Sequence, residues 1–202
     1  MLHPREERSV LAARCLDSHI GPLLIVVTDV GVAHIAFQEA ATDSPVEQLV
    51  RTFGALGQDA LAESSQLLDD TVGEIVAWLN GELTSFTVPI DWCLTSENYR
   101  GEVQRALCTI PRGEAWSYRE LAEATGRPRA ARAVGSACAT NPLPLIVPCH
   151  RVIRSDGTIG PYGVQLGLAR GSEIKRQLLA MEGVEFGWPP ASGLRAREVN
   201  RL

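Results

Sequence analysis

Two short apolar runs rich in β-branched residues dominate the first forty positions. Leu23-Leu24-Ile25-Val26-Val27-Thr28 and Val32-Ala33-His34-Ile35-Ala36-Phe37 flank Asp29-Val30-Gly31, which reads as a hairpin turn. Ser9 to Leu16 supplies a third strand. The apolar period then lengthens. Pro45 opens a helix with Val46, Leu49, Val50 and Phe53 on one side. Thr71 and Glu74 form a capping-box pattern ahead of Ile75, Val76, Trp78 and Leu79, and Asn80-Gly81 ends that helix. The expectation is a small structural unit with an antiparallel sheet, followed by a connector over 82–96 that Pro89 disturbs.

From Ser96 onward the pattern is helical. Ser96 is expected to cap a helix through Cys108, with Tyr99, Val103, Ala106, Leu107 and Ile110 on its apolar side; Pro111-Arg112-Gly113 stops it. Ser117 and Glu120 make a second capping box, for a helix through Thr125 that Gly126 ends. Arg127-Pro128-Arg129 is expected to start the next helix, which runs to Ala139. Two short helices across a tight turn make a helix-turn-helix. The second offers mostly Ala, Gly and Ser around Arg132. Such a surface suits entry into a narrow groove or close packing on another helix, and spacing alone does not decide. Asn141-Pro142-Leu143-Pro144 breaks the helix, Arg154-Ser155-Asp156-Gly157 is a turn, and Ile174 to Glu182 is a last amphipathic helix.

Candidate chemistry sits between those breaks. In Ile146-Val147-Pro148-Cys149-His150-Arg151-Val152-Ile153 a thiol, an imidazole and a guanidinium are adjacent within an apolar segment. A thiol near a base or cation is a candidate nucleophile, because the thiolate is the reactive form. A small core cysteine beside an unrelated histidine fits those two residues equally well. If the segment is extended, Cys149 and His150 face opposite sides, so a bend at Pro148 or a bridging water is needed to couple them.

Composition narrows the setting. The chain has 202 residues, 45% hydrophobic and 21% charged, as in globular proteins. No stretch approaches the ~18 apolar residues of a membrane span, and the first residues lead into no signal-peptide core, so no membrane is expected and the cytoplasm is the default. The five cysteines are dispersed, which argues against a disulfide framework. Cys15, His19 and His34 lack an evident fourth ligand, so neither metal nor cofactor is expected. Residues 1–99 carry 4 basic and 15 acidic groups, whereas 100–182 carry 12 basic and 7 acidic, all but one of the twelve being arginine. Arginine suits phosphate contacts. The shift puts a boundary near residue 95, giving units 1–95 and 96–185 with a loosely held tail at 186–202.

Ser117-Tyr118, Arg132-Ala133-Val134-Gly135, Asn141-Pro142 and Pro148-Cys149-His150-Arg151-Val152, in this order and spacing, resemble the O6-alkylguanine-DNA alkyltransferases. The resemblance is strongest over 96–160 and reaches the first unit through Ile20-Gly21-Pro22-Leu23. It implies an α+β protein: a small amino-terminal domain with an antiparallel sheet, then a mainly helical domain with a winged-helix-like helix-turn-helix and a buried acceptor cysteine. It also implies roles. Cys149 matches the alkyl acceptor, His150 a general base acting through a water, and Glu182 the carboxylate that orients it. Tyr118 matches the residue that crowds the target phosphate and supplies a proton to guanine, and Arg132 the finger that replaces the flipped nucleotide. Asn141 matches the turn residue that holds the helix-turn-helix against the active segment. Val147, Pro148, Tyr162 and Gly163 are expected around the alkyl pocket, and Arg119, Arg127 and Ser155 on DNA phosphates. The implied partner is alkylated duplex DNA, bound through its minor groove by a monomer.

Two features depart from the family pattern. Residues 163–172 form a longer link to the last helix, and Tyr99 and Gln104 stand where the family favours a Phe-Gln start and a Trp. Two other classes compete with suicidal repair of O6-alkylguanine and O4-alkylthymine. A non-catalytic damage-binding relative would carry another residue at position 149. A Cys-His hydrolase would need an oxyanion hole, which nothing in the sequence suggests.

Overall fold

The computed structural model describes residues 10–38, 44–54, 64–163 and 170–184. The inner part of the long link, 164–169, and the tail from 185 lie outside the described residues. The chain divides into two compact units, Met1–Leu94 and Thr95–Leu202, and the architecture is α+β as the sequence implies.

In the first unit β1 (Val10–Leu16), β2 (Leu23–Thr28) and β3 (Val32–Phe37) form an antiparallel sheet in chain order. Ile25 sits between Arg14 on one neighbour and Ile35 on the other. Every residue of β2 and β3 is buried, which explains continuous apolar runs in place of alternation. The hairpin turn is held from within: the Thr28 hydroxyl accepts from the amides of Val30 and Gly31 and donates to Asp91 at 2.7 Å. The connector is more ordered than its composition suggests. Ile90 bridges Val32 in parallel, and a Cβ on Gly31 would lie 2.6 Å from the Pro89 carbonyl.

Both helices of this unit depart from expectation. α1 (Pro45–Phe53) starts on a Ser44–Glu47 capping box, yet of its expected apolar face only Leu49 is buried, while Val46 and Val50 are exposed. α2 (Gln66–Leu79) begins at a Ser65 cap, six residues before the predicted box. Thr71 instead bonds back to the Leu67 carbonyl at 2.6 Å, and Glu74 caps the amides of Thr87 and Val88. A Ser/Thr hydroxyl has this back-bonding alternative inside a helix, so the box pattern did not mark a start.

In the second unit α3 (Tyr99–Leu107) is capped by Asn98, not Ser96, whose hydroxyl donates to the Asn98 side chain at 2.7 Å. The chain doubles back so tightly that a Cβ on Gly101 would stand 1.8 Å from the Ser96 carbonyl oxygen. α4 (Tyr118–Ala124) starts on the predicted Ser117–Glu120 box, and Gly126 follows it with φ +72°. α5 (Ala131–Ala139) begins later than predicted, because Arg127 to Ala130 form the turn. Gln104 spans from α3 to α5, donating to the Ala137 carbonyl at 3.0 Å. Two strands too short to show in the sequence, β4 (Trp116–Ser117) and β5 (Val152–Ile153), pair in parallel. That pairing brings the start of α4 beside the segment carrying Cys149. α6 (Gly171–Met181) completes the unit.

Gly101→Ala tests the close approach at the start of α3. Alanine normally favours a helix by about 0.8–1 kcal/mol over glycine, so an unconstrained site would gain stability. The backbone contact reverses the sign here, and the urea midpoint should fall. An unchanged or raised midpoint would remove the constraint.

Candidate active site

The loop between α5 and β5 sets the site. Pro148 turns the chain into a 3₁₀ turn, Cys149–Arg151, with the Cys149 amide on the Val147 carbonyl at 2.8 Å and the Arg151 amide on Pro148 at 3.0 Å. The segment is therefore not extended, and the bend that the sequence required is present. Leu145 has φ 76°, a left-handed conformation that costs a side-chain-bearing residue about 1–3 kcal/mol.

Asn141 occupies the centre of that loop. Its Nδ2 donates to the Val147 carbonyl at 2.8 Å and to Cys149 Sγ at 3.1 Å, while its Oδ1 accepts from the Leu143 amide at 3.1 Å. A donor on sulfur favours the thiolate. Cys149 is nonetheless 4% exposed, and burial pushes its pKa above that of an ordinary thiol; Asn141 and the charge of Lys175 oppose this without cancelling it.

His150 is fully buried, with Nε2 3.2 Å from Glu182 Oε1 at the end of α6 and its ring edge-on to Tyr162. Burial lowers its pKa, although Glu182 pulls the other way, so the imidazole is neutral and able to take a proton. Glu182 is also gripped by Arg151, through Nε at 2.8 Å and Nη2 at 2.7 Å, and Arg151 Nη1 reaches the Ile110 carbonyl at 2.6 Å. Burial raises the Glu182 pKa, but the bonds from His150 and Arg151 outweigh it and hold the value at about 2. The match of Glu182 across the long link thus has a geometric counterpart.

Cys149 opens onto a pocket of about 330 Å³ whose walls include Tyr118, Arg132, Cys138, Tyr162, Gly163 and Lys175. Val147 and Pro148, expected there, do not line it. Both are buried in the loop, and the Val147 carbonyl is turned to Asn141. Tyr118 begins α4, and a Cβ on Gly160 would sit 2.7 Å from its hydroxyl. Burial, then the two thiols, raise its pKa to about 12, so the phenol keeps its proton. On α5 Val134 and Ala137 are buried in packing, whereas Arg132, Ala133 and Ser136 face outward.

The predicted phosphate contacts scatter over the surface. Arg119 lies 3.8 Å from Glu123 on its own helix. Arg127 lies 3.5 Å from Glu102 and stacks 4.2 Å from the centre of the Tyr99 ring, and the Tyr99 hydroxyl meets Thr125 at 2.9 Å. Ser155 is exposed in the turn after β5.

Three site residues were given no role by the sequence reading. Arg151 carries the grip on Glu182. Cys138 places a second thiol in the pocket wall, its pKa raised by burial and then by Cys149. Lys175, 1% exposed, donates to the Val152 carbonyl at 2.5 Å, with its amine 5.8 Å from the Tyr118 ring centre. Its signal was available: it is the chain's only lysine.

A model of the 6-O-methylguanine DNA methyltransferase DNA-binding domain matches residues 98–184, and one of that family's ribonuclease-like domain matches residues 11–92. The chain belongs to this family. A methylated-DNA–protein-cysteine methyltransferase of Methanosarcina barkeri is 32% identical, across 83% of this chain and 94% of the relative. The bifunctional transcriptional activator/DNA repair enzyme Ada of Escherichia coli is 35% identical across 80% of this chain, which spans only 43% of that protein. Among solved structures, Mycobacterium tuberculosis OGT in complex with DNA superposes with a TM-score of 0.67 at 34% identity, covering 85% of this chain and 92% of that one.

Within this family fold, the buried pair makes the site acid-sensitive. The folded pKa of Glu182, about 2, lies below that of a free glutamate, and that of His150 lies below that of a free histidine. The unfolded chain therefore takes up protons first at both sites, and stability present at neutral pH is lost on acidification. Loss should begin below roughly pH 6.5, where an unfolded His titrates, and continue from roughly 4.3 as the glutamate follows. Glu182→Gln should remove the lower stage and cost about 3–5 kcal/mol at pH 7, because Arg151 loses its buried partner. Urea midpoints from pH 3 to 8 measure both; an acid profile identical to wild type would show that the pair does not govern it.

Proposed function

We propose that this chain repairs alkylated DNA by moving the alkyl group from O6 of guanine, and from O4 of thymine, onto its own Cys149. The observation that carries this reading is the Cys149 thiol facing the pocket with Asn141 on its sulfur at 3.1 Å and the His150–Glu182 pair at 3.2 Å in the adjoining residue.

An alkylated base inside a duplex is out of reach of a buried thiol, so the nucleotide must be turned out into the pocket. Arg132, on the outward face of α5, fills the gap it leaves, and the small residues beside it let that helix enter the minor groove. The protein does this as a monomer. Neutral His150 takes the thiol proton through a water, and Glu182 stabilises the imidazolium. Asn141 and the Lys175 ammonium stabilise the thiolate. Sulfur then attacks the alkyl carbon, the carbon–O6 bond breaks with its electron pair going to guanine, and Tyr118 relays a proton that leaves guanine neutral, regaining one from solvent as the base departs. The product is a thioether, which gives water no leaving group to displace, so each molecule acts once. No cofactor enters the sequence of steps. A non-catalytic damage-binding role is disfavoured by a thiol at position 149 with a hydrogen-bond donor on its sulfur.

Mixing the protein with duplex DNA carrying one O6-methylguanine should raise its intact mass by a single methyl, on the peptide that holds Cys149. Repeated turnover on excess lesion, or full transfer by Cys149→Ala, would exclude this mechanism.

Arg132→Ala should slow repair of the duplex far more than reaction with free O6-benzylguanine. The free base needs no extrusion, so only the duplex reaction bears the unstacking cost of a few kcal/mol. Equal losses on the two substrates, measured as second-order rates, would make Arg132 a structural residue.

A further inference from the structure

The basic side chains of the second unit differ in what they already hold. Arg151 is committed to Glu182, Arg119 has Glu123 beside it, and Arg127 has Glu102 and the Tyr99 ring. Each of the last two brings a carboxylate towards any anion it approaches. Arg154 does not. Its side chain is exposed, no carboxylate among the described residues pairs with it, and its Nη1 donates to the Thr158 hydroxyl at 3.3 Å.

That hydroxyl is itself oriented. Thr158 Oγ1 donates to Asp156 Oδ1 at 2.6 Å, leaving its lone pair for Arg154, and the Thr158 amide donates to the same carboxylate oxygen at 2.9 Å. The backbone closes the turn: the Arg154 amide meets the Thr158 carbonyl at 3.0 Å, the Gly157 amide meets the Arg154 carbonyl at 2.9 Å, and Gly157 has φ 79°. The guanidinium is thus braced through a neutral hydroxyl, with no direct ion pair among the described residues, and its face is left open to an outside partner. A single bond to an exposed hydroxyl is worth at most about 1 kcal/mol, so the brace is weak as a fold contact and suited to holding an orientation.

The position fits a ligand at the pocket. Arg154 directly follows β5, whose Val152 carbonyl accepts from Lys175 in the pocket wall. Its charge is felt at both Tyr118 and Lys175, two residues of that wall. A planar guanidinium binds phosphate oxygens in a bidentate manner that a compact ammonium does not reproduce.

We propose that Arg154 is a phosphate ligand for the DNA strand that carries the extruded nucleotide, held in readiness by the Asp156–Thr158 turn. The proposal rests on the DNA-repair reading above and names a positioning residue for it.

Two measurements on the full chain separate the proposal from the reading it rests on. The first is affinity for an undamaged duplex against salt concentration. Arg154→Ala should flatten the logarithmic slope by about 0.9, one contact's worth, Arg127→Ala by less, and Arg154→Lys should keep most of the slope. The second is methyl transfer from an O6-methylguanine duplex beside reaction with free O6-benzylguanine. Arg154→Ala should slow the first several-fold and spare the second. An unchanged salt slope in Arg154→Ala overturns the phosphate contact even if methyl transfer by the wild type is intact. Equal loss on duplex and free base overturns it too, since a structural role would act on both. A flattened slope without any methyl transfer by the wild type leaves the contact standing and removes the repair reading.

Discussion

One amide side chain ties the second unit's architecture to its chemistry. Asn141 follows α5 and holds the Leu143 amide, the Val147 carbonyl and the Cys149 sulfur together. The loop it closes includes the left-handed Leu145, so a conformation that is unfavourable for the isolated chain is imposed by three bonds to one residue. Without them the loop would keep backbone bonds such as the Val147 amide on the Leu143 carbonyl and the Cys149 amide on the Val147 carbonyl, neither of which reaches the sulfur. Hydrophobic packing alone has no comparable directionality. The placement of Cys149 against the pocket wall is for that reason a hydrogen-bonding result, achieved inside an apolar shell made by Leu143, Val147 and Val152.

Charge is distributed around that centre so that each buried group stays in the form the chemistry needs. Arg151 neutralises Glu182 from one side, leaving the carboxylate ionised next to His150. The imidazole would gain a proton from such a neighbour in water, but burial prevents it. A neutral base beside a fixed anion is the arrangement that makes a transient imidazolium cheapest. Lys175 and Asn141 act on the sulfur end of the same transfer. The single lysine is placed where its charge acts on the thiol: burial lowers the Lys175 pKa, and Cys149 and Cys138 oppose that shift.

How far the sequence could be read depended on whether a pattern had one structural solution or several. Ser117-Tyr118-Arg119-Glu120 and Thr71-Val72-Gly73-Glu74 both carry a capping-box signature, yet only the first caps a helix. Thr71 lies within an apolar period that already reaches back to Leu68, and its hydroxyl has a helix carbonyl to bond. The three-stranded sheet was legible because its runs are long and its turn short. The β4–β5 pair was not, since two residues per strand carry no period and their partnership depends on a fold-wide approach. The same distinction holds in the site. Cys149, His150 and Tyr118 stood in motifs that the family resemblance singled out, while Arg151 and Cys138 acquire their interactions only from residues 31 and 11 positions away. Val147 and Pro148, expected around the pocket, are instead buried in the loop, where the Val147 carbonyl is turned to Asn141.

The raised pKa of Cys149 looks at first like a defect in the proposed nucleophile. Under the proposed single use it has a rationale. A sulfur that forms a thioether is spent on the first electrophile it meets, so a permanently ionised, accessible thiolate would be consumed by whatever small alkylating agents reach it. Reactivity follows the thiolate fraction, and burial at 4% exposure suppresses both that fraction and access. Each unit of upward shift costs about 1.4 kcal/mol in forming thiolate, a barrier that a productive encounter must offset. An occupied pocket can do so: a turned-out base excludes water, strengthens the effect of Asn141 and Lys175 on the developing charge, and places the alkyl carbon where the sulfur lies. In the proposed mechanism ionisation and attack are then driven by the same binding event, and the buried His150–Glu182 pair is the proton's destination without holding the thiol ionised beforehand.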